Sequence, residues 1–93
     1  MSETSVSNTL EERGSRYGDF MGHAQITQQL KNAISIALYS RNKELPADQQ
    51  EALDMICHKI GRIINGDHNY ADSWHDIAGY ASLVDKRLNG ITI

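Results

Sequence analysis

One cysteine, one proline, one phenylalanine and one tryptophan stand in a chain of 93 residues. With Cys57 alone no intrachain disulfide can form, so a reducing compartment, the cytoplasm, is expected. No apolar run approaches the roughly 20 residues of a membrane-spanning helix, and the opening MSETSVSNTLEER lacks the basic-then-apolar order of a signal peptide. Neither membrane insertion nor export is expected. Basic residues are also scarce: nine Lys and Arg against twelve Asp and Glu give a formal charge of −3. That balance argues against a general DNA, RNA or anionic-membrane binder, which presents a basic face. Any phosphate site here is therefore a local pocket. No segment shows sustained two-residue alternation, which excludes a sheet.

What remains is helical periodicity. Ser and Thr dominate residues 1–8, which are expected to be disordered; a single helical domain is expected over residues 9–90. A short first helix is expected from a cap at Asn8 or Thr9, fraying between Gly14 and Gly18. Between residues 20 and 40, Ile26, Leu30, Ala33, Ile34, Ala37 and Leu38 recur at three- and four-residue spacing, which marks a second helix with Asp19 available as its N-cap. Pro46 suits the first turn of a third helix, running to about residue 64 and closed by Asn65-Gly66, with Gly66 expected in the left-handed conformation. A fourth helix follows over residues 72–88 and closes at Asn89-Gly90. The expectation is an all-α bundle of three to four helices. A core this small leaves a modest stability margin, so a homo-oligomer is also expected.

On a helical wheel the third helix carries Leu53, Ile56, Cys57, Ile60, Ile63 and Ile64 on an apolar face, with Glu51, Asp54, His58 and Arg62 opposite and Lys59 at the edge. The fourth places Trp74, Ile77, Ala78, Ala81, Val84 and Leu88 on its apolar side, so Trp74 reads as core. Asp72 and Asp76 lie opposite, with Tyr80 one turn further on and Gly79 leaving room beside the backbone. The short connection makes these helices antiparallel neighbours, which brings Lys59 and Arg62 towards Asp72 and Asp76. Two constellations result. Glu51, Asp54, Asp72 and Asp76 are oxygen donors of the kind that hold Mg²⁺. Arg13, Arg16, Lys59 and Arg62 are donors suited to phosphate oxygens, and Tyr17 and Tyr80 can stack on a base or sugar. An ordinary solvated helix face is the competing reading. His58, His68 and His75 do not make a zinc set, because no second Cys exists and the helical geometry scatters them. Cys57, on the apolar stripe, is expected to be a buried thiol and a poor nucleophile.

The segments ERGSRYGDF, EALDMICHKIGRI and DSWHDIAGYASL together resemble a family of small phage and prophage proteins of uncharacterised function. That family in turn looks like a reduced relative of the all-α NTP pyrophosphohydrolases, the MazG and dimeric dUTPase group. Those enzymes bind Mg²⁺ through an ExxE pair on one helix and an ExxD pair on the next, and cleave nucleoside triphosphates between the α- and β-phosphates. The resemblance sets Glu51 and Asp54 in the first pair and Asp72 with Asp76 where the second belongs. Here the first pair ends in Asp and the second is two aspartates four residues apart.

Three functions follow as expectations. The first is a small nucleotide-binding protein, in which Arg16, Lys59 and Arg62 hold phosphates, Tyr17 and Tyr80 stack, and Asp72 and Asp76 fix a ribose hydroxyl, a base amine or Mg²⁺; in a phage setting it would sequester a host immune nucleotide signal without cleaving it. The second is a Mg²⁺-dependent NTP pyrophosphohydrolase using Glu51, Asp54, Asp72 and Asp76. The third is a module that binds a host protein.

Overall fold

The computed structural model describes the backbone of residues 3–93, with side chains from residue 6 onward. Four helices follow one another, α1 (Glu3–Tyr17), α2 (Phe20–Ser40), α3 (Ala47–Asn65) and α4 (Ala71–Leu88), with no strand among the described residues. The fold is all-α. Helix α1 begins at Glu3, ahead of the cap expected at Asn8 or Thr9, and runs unbroken through Gly14 to Tyr17. The segment expected to be disordered lies partly outside the described residues.

Each start and stop has a local cause. Gly18 takes φ +76°, a left-handed conformation open to glycine at no steric cost, and this turn reverses the chain. Asp19 then accepts the Gly22 N–H at 3.1 Å and caps α2, as its side chain suits it to do. Pro46 sits at the N-cap of α3. Gly66 departs from expectation: its φ is −132°, so it is not a left-handed cap. Glycine is required there for close approach, since an added Cβ would run into the backbone of Arg16 and Tyr17.

Helix α3 is the middle of a three-helix layer. It packs against both α2 and α4, which do not approach one another. Both flanking helices run antiparallel to it. On one side Lys59 reaches Asp76 and Asp48 reaches Arg87; on the other Lys31 meets His58 and Thr27 closes on Gly61. The Gly61 crossing is tight, because an added Cβ there would lie 2.6 Å from Thr27 Oγ1.

Being flanked on two sides changes which face of α3 is buried. Its buried residues are Ala52, Cys57, Lys59 and Gly61, on the two flanks. The isoleucine stripe read as the core face is only half-buried at Ile56, Ile60 and Ile63, and Ile64 is exposed. Helix α4 shows the same shift. It turns Ser73, Asp76, Ile77, Tyr80 and Val84 towards α3, while Ala78, Ala81 and Leu88 stay exposed. Trp74 is not core: it is exposed and its indole N–H donates to the His68 carbonyl at 2.9 Å, folding the connecting loop back onto α4. Among the described residues, no helix is long and apolar enough to cross a membrane.

Candidate functional site

The turn between α1 and α2 is bolted to the end of α3. Asn65 donates through Nδ2 to the carbonyls of Tyr17 and Asp19, each at 2.8 Å, and Asp67 N–H donates to the Arg16 carbonyl at 2.6 Å. The bonds to Arg16 and Tyr17 satisfy carbonyls that the end of α1 leaves free. They also bring the aromatic rings of this turn against cations from two helices. The Arg62 guanidinium lies 4.5 Å from the centre of the Tyr17 ring and that of Arg13 lies 5.7 Å from it. Arg16 stacks on Tyr70 at 4.4 Å, and the two tyrosine rings are 6.0 Å apart. Three arginines thus interleave with two phenols.

Beside this cluster a cavity of about 520 Å³ opens between α1, α2 and α3, with Arg13, Tyr17, Phe20, His23, His58 and Arg62 on its walls. The volume suits a small molecule. Among the described residues neither Arg13 nor Arg62 has a carboxylate partner. Asp19 also borders the cavity, but one of its oxygens is committed to the α2 cap. Phe20, 82 % exposed, stands at the rim with its ring centre 6.4 Å from that of His23.

Two imidazoles line the inner wall with ring centres 5.7 Å apart. Lys31 Nζ lies 3.1 Å from His58 Nε2; an ammonium only donates, so that nitrogen accepts and the ring is neutral. Burial, and then the positive charge of Lys31, Arg62 and Lys59, hold His58 below the usual histidine range, while Asp54 opposes them weakly. Burial first, then His58, Arg62 and Lys59, do the same to His23. His23 Nε2 is 3.4 Å from Thr27 Oγ1, whereas its Nδ1 is buried with no hydrogen-bond partner. A cavity wall made of arginines and reluctant imidazoles is a place where negative charge is welcome.

The expected site residues are therefore divided. Tyr17 and Arg62 line the cavity, and Arg16 adjoins it while also pairing with Glu12 at 3.5 Å. Lys59 does not: its side chain is 9 % exposed and its ammonium sits 3.1 Å from Asp76, an ion pair inside the α3–α4 packing. Asp72 lies beside Tyr70, and its carboxylate holds the phenol above its usual range. Tyr80 borders two shallow grooves elsewhere along α4. Arg62 faces Tyr17 instead of Asp72 and Asp76, because the α1–α2 turn occupies the end of α3. The sequence reading missed Phe20, His23 and Tyr70; only the alignment of His58 with Arg62 one turn apart hinted at the inner wall.

The Mg²⁺ implied by the pyrophosphohydrolase resemblance does not fit these side chains. No group of three or more His, Cys, Asp or Glu converges among the described residues. Asp76 is drawn to Lys59, Asp54 accepts from Gln50 Nε2 at 3.1 Å, and Glu51 borders a groove with Tyr80 and Arg87. Cys57 is buried, and burial pushes its thiol up, so it is a poor nucleophile.

Over residues 3–88 the chain matches the family model described as a domain of unknown function, DUF6378, and it belongs to that family. No curated protein and no solved structure matches it.

Proposed function

We propose that this member of the DUF6378 family binds a small nucleotide in the cavity between α1, α2 and α3 and releases it intact. The observation that carries the reading is the pair Arg13 and Arg62, set around one tyrosine ring at the cavity wall with no carboxylate to neutralise either among the described residues. A guanidinium held by stacking and left without an anion is preorganised for a bidentate phosphate contact, because little side-chain entropy remains to be lost. Phe20 and Tyr17 then supply aromatic faces for the base or ribose. His23 and His58 face the same anion.

The dispersal of the acids supports binding without cleavage, since Asp54 and Asp76 have separate partners, Asp72 lies by Tyr70, and Glu51 lines a different groove. The resemblance of YGDF and DSWHDIAGYA to phage proteins, and through them to the MazG group, supports a use in the host cytoplasm: holding a host nucleotide signal away from its receptor. A homo-oligomeric state is proposed alongside it.

The test is a thermal-shift series with mononucleotides, cyclic dinucleotides and ADP-ribose derivatives, followed by chromatography of the ligand after heat release. A ligand at 100 times its Kd stabilises the folded form by about 2.7 kcal/mol. That shift is expected to be lost in Arg62→Ala and in Arg13→Ala, with the recovered ligand unchanged. Pyrophosphate released from NTPs with Mg²⁺ overturns the binding reading in favour of the hydrolase. If no nucleotide raises Tm while a host protein co-purifies, the interaction module replaces it.

A further inference from the structure

The α2–α3–α4 layer has one face that no helix among the described residues covers. On α3 the residues turned to α4 (Ala52, Lys59) and to α2 (Cys57, Gly61) leave the isoleucine stripe between them, about 80° to 90° from each flank on the helical wheel. On α4 the exposed line of Trp74, Ala78, Ala81 and Leu88 lies about 100° past the residues that touch α3. On α2 the apolar line of Ile26, Ala33 and Ala37 lies about 100° before its contact line. With α2 and α4 on opposite flanks and both antiparallel to α3, these offsets bring all three lines to the same side. The result is a slab of isoleucine flanked by alanine, which carries one acid on its α4 side, the exposed Asp85 between Trp74 and Ala78 on the wheel.

The exposed area leaves room for a second chain. A compact monomer of 10.4 kDa exposes about 5,400 Å², whereas this chain exposes 6821 Å². The excess is about 1,400 Å² per chain. Helix α1, exposed throughout residues 6–15, contributes part of it. The radius of gyration points the same way, at 15.8 Å against about 12 Å for a compact chain of this length. Because α1 carries part of that excess, two chains joined through the slab bury less than about 2,800 Å² in total, a bound that includes the standard interface of about 1,200–2,000 Å². A predominantly apolar patch is also self-complementary, as a two-fold interface has to be.

We propose that this slab is the docking surface for a second copy of the chain, so that the protein is a homodimer joined through the α2–α3–α4 layer with a ligand cavity facing outward on each subunit. His58 and Arg62 lie about 180° round α3 from Ile60, so the cavity and the interface are on opposite sides of the layer. The interface therefore stands independently of the nucleotide reading.

Sedimentation equilibrium tests it directly. The purified chain is expected to sediment at twice 10.4 kDa and its Tm to rise with protein concentration. Ala81→Glu and Ala33→Glu each place a charge on the slab at a position already exposed in the single chain, and are expected to weaken dimerisation by about 100-fold or more. Gln28→Glu, on the opposite side of α2, is the control and is expected to leave the dimer intact. A wild-type chain that sediments at 10.4 kDa and melts cooperatively at a Tm independent of concentration overturns the proposal. So does an assembly that both slab variants leave unchanged. Binding in the outward cavity is scored separately, by the thermal shift of Arg62→Ala, so either idea can fail alone.

Discussion

Replacing Asp76 by Asn tests how far the α3–α4 packing depends on one ion pair. Lys59 presents its ammonium 3.1 Å from Asp76 with a side chain 9 % exposed, while the carboxylate side is 42 % exposed. At that distance and an effective dielectric constant near 20, the attraction is about 5 kcal/mol. Solvent at the half-open aspartate screens it by half or more, which leaves about 2 kcal/mol for the loss on Asp76→Asn. Most of that cost is the desolvated ammonium left without a carboxylate. For a chain of this length about 2 kcal/mol corresponds to a fall in Tm of roughly 8 to 16 °C, read by circular dichroism at fixed protein concentration. Lys59→Met in the Asp76→Asn background removes the stranded charge and is expected to recover most of the loss. A loss below about 0.5 kcal/mol, or a double variant whose loss equals the sum of the two single ones, refutes the reasoning. The prediction also bears on function: activity or binding lost in Asp76→Ala has to be measured against the fraction still folded.

Gly61→Ala and Gly79→Ala should move stability in opposite directions. At Gly61 the new methyl meets Thr27 and His23, and overpacking costs about 1 to 3 kcal/mol; at Gly79 the space is open, and the gain in helix propensity is about 0.5 to 1 kcal/mol, both read from urea melts. Stability is expected to fall as pH drops through the usual histidine range. The unfolded chain takes up protons there that His23 and His58, held low by burial and nearby cations, still refuse; the fall levels off below their folded values. His23→Gln with His58→Gln should flatten that slope in Tm against pH. Arg87 hydrogen-bonds Asp48 at 2.7 and 2.6 Å and holds its carboxyl below the usual range. Their pairing is thus present at neutral pH and lost as pH falls through the depressed value, and Arg87→Gln should return the Asp48 titration, followed by NMR, towards the ordinary position.

The helices were legible because periodicity and punctuation are local. Asp19 caps α2 as its side chain allows, Pro46 opens α3, and Gly90 closes the chain beyond α4 with a left-handed φ of +81°. The Lys59–Asp76 contact was legible too, since a short connection forces α3 and α4 antiparallel and the register follows. The cavity was not. It exists because Asn65 and Gly66 accept the α1–α2 turn, a contact between residues some 48 positions apart, and no pattern within a window of one helix encodes it. That docking takes Arg62 away from the aspartates and gives it Tyr17, and it turns His23 and Phe20 from unremarked helix residues into walls of a site.

The apolar faces make a subtler case. Periodicity marked Ile56, Ile60, Ile63 and Ile64 on α3, and Trp74, Ala78 and Ala81 on α4, as residues that need covering, and took the chain's own core to be the cover. In the fold those lines lie on one side of a layer, and the residues inside the subunit include a lysine, a serine and a threonine, Lys59, Ser73 and Thr27. Amphipathicity reports that a face avoids water, and it is silent on which molecule supplies the other half. A helix that buries a charged lysine while leaving Ile56, Ile60 and Ile63 partly accessible and Ile64 exposed is poorly explained as the core of a monomer. It fits the proposed dimer, with the Lys59–Asp76 pair fixing the register of α3 against α4 and the isoleucines facing the second copy.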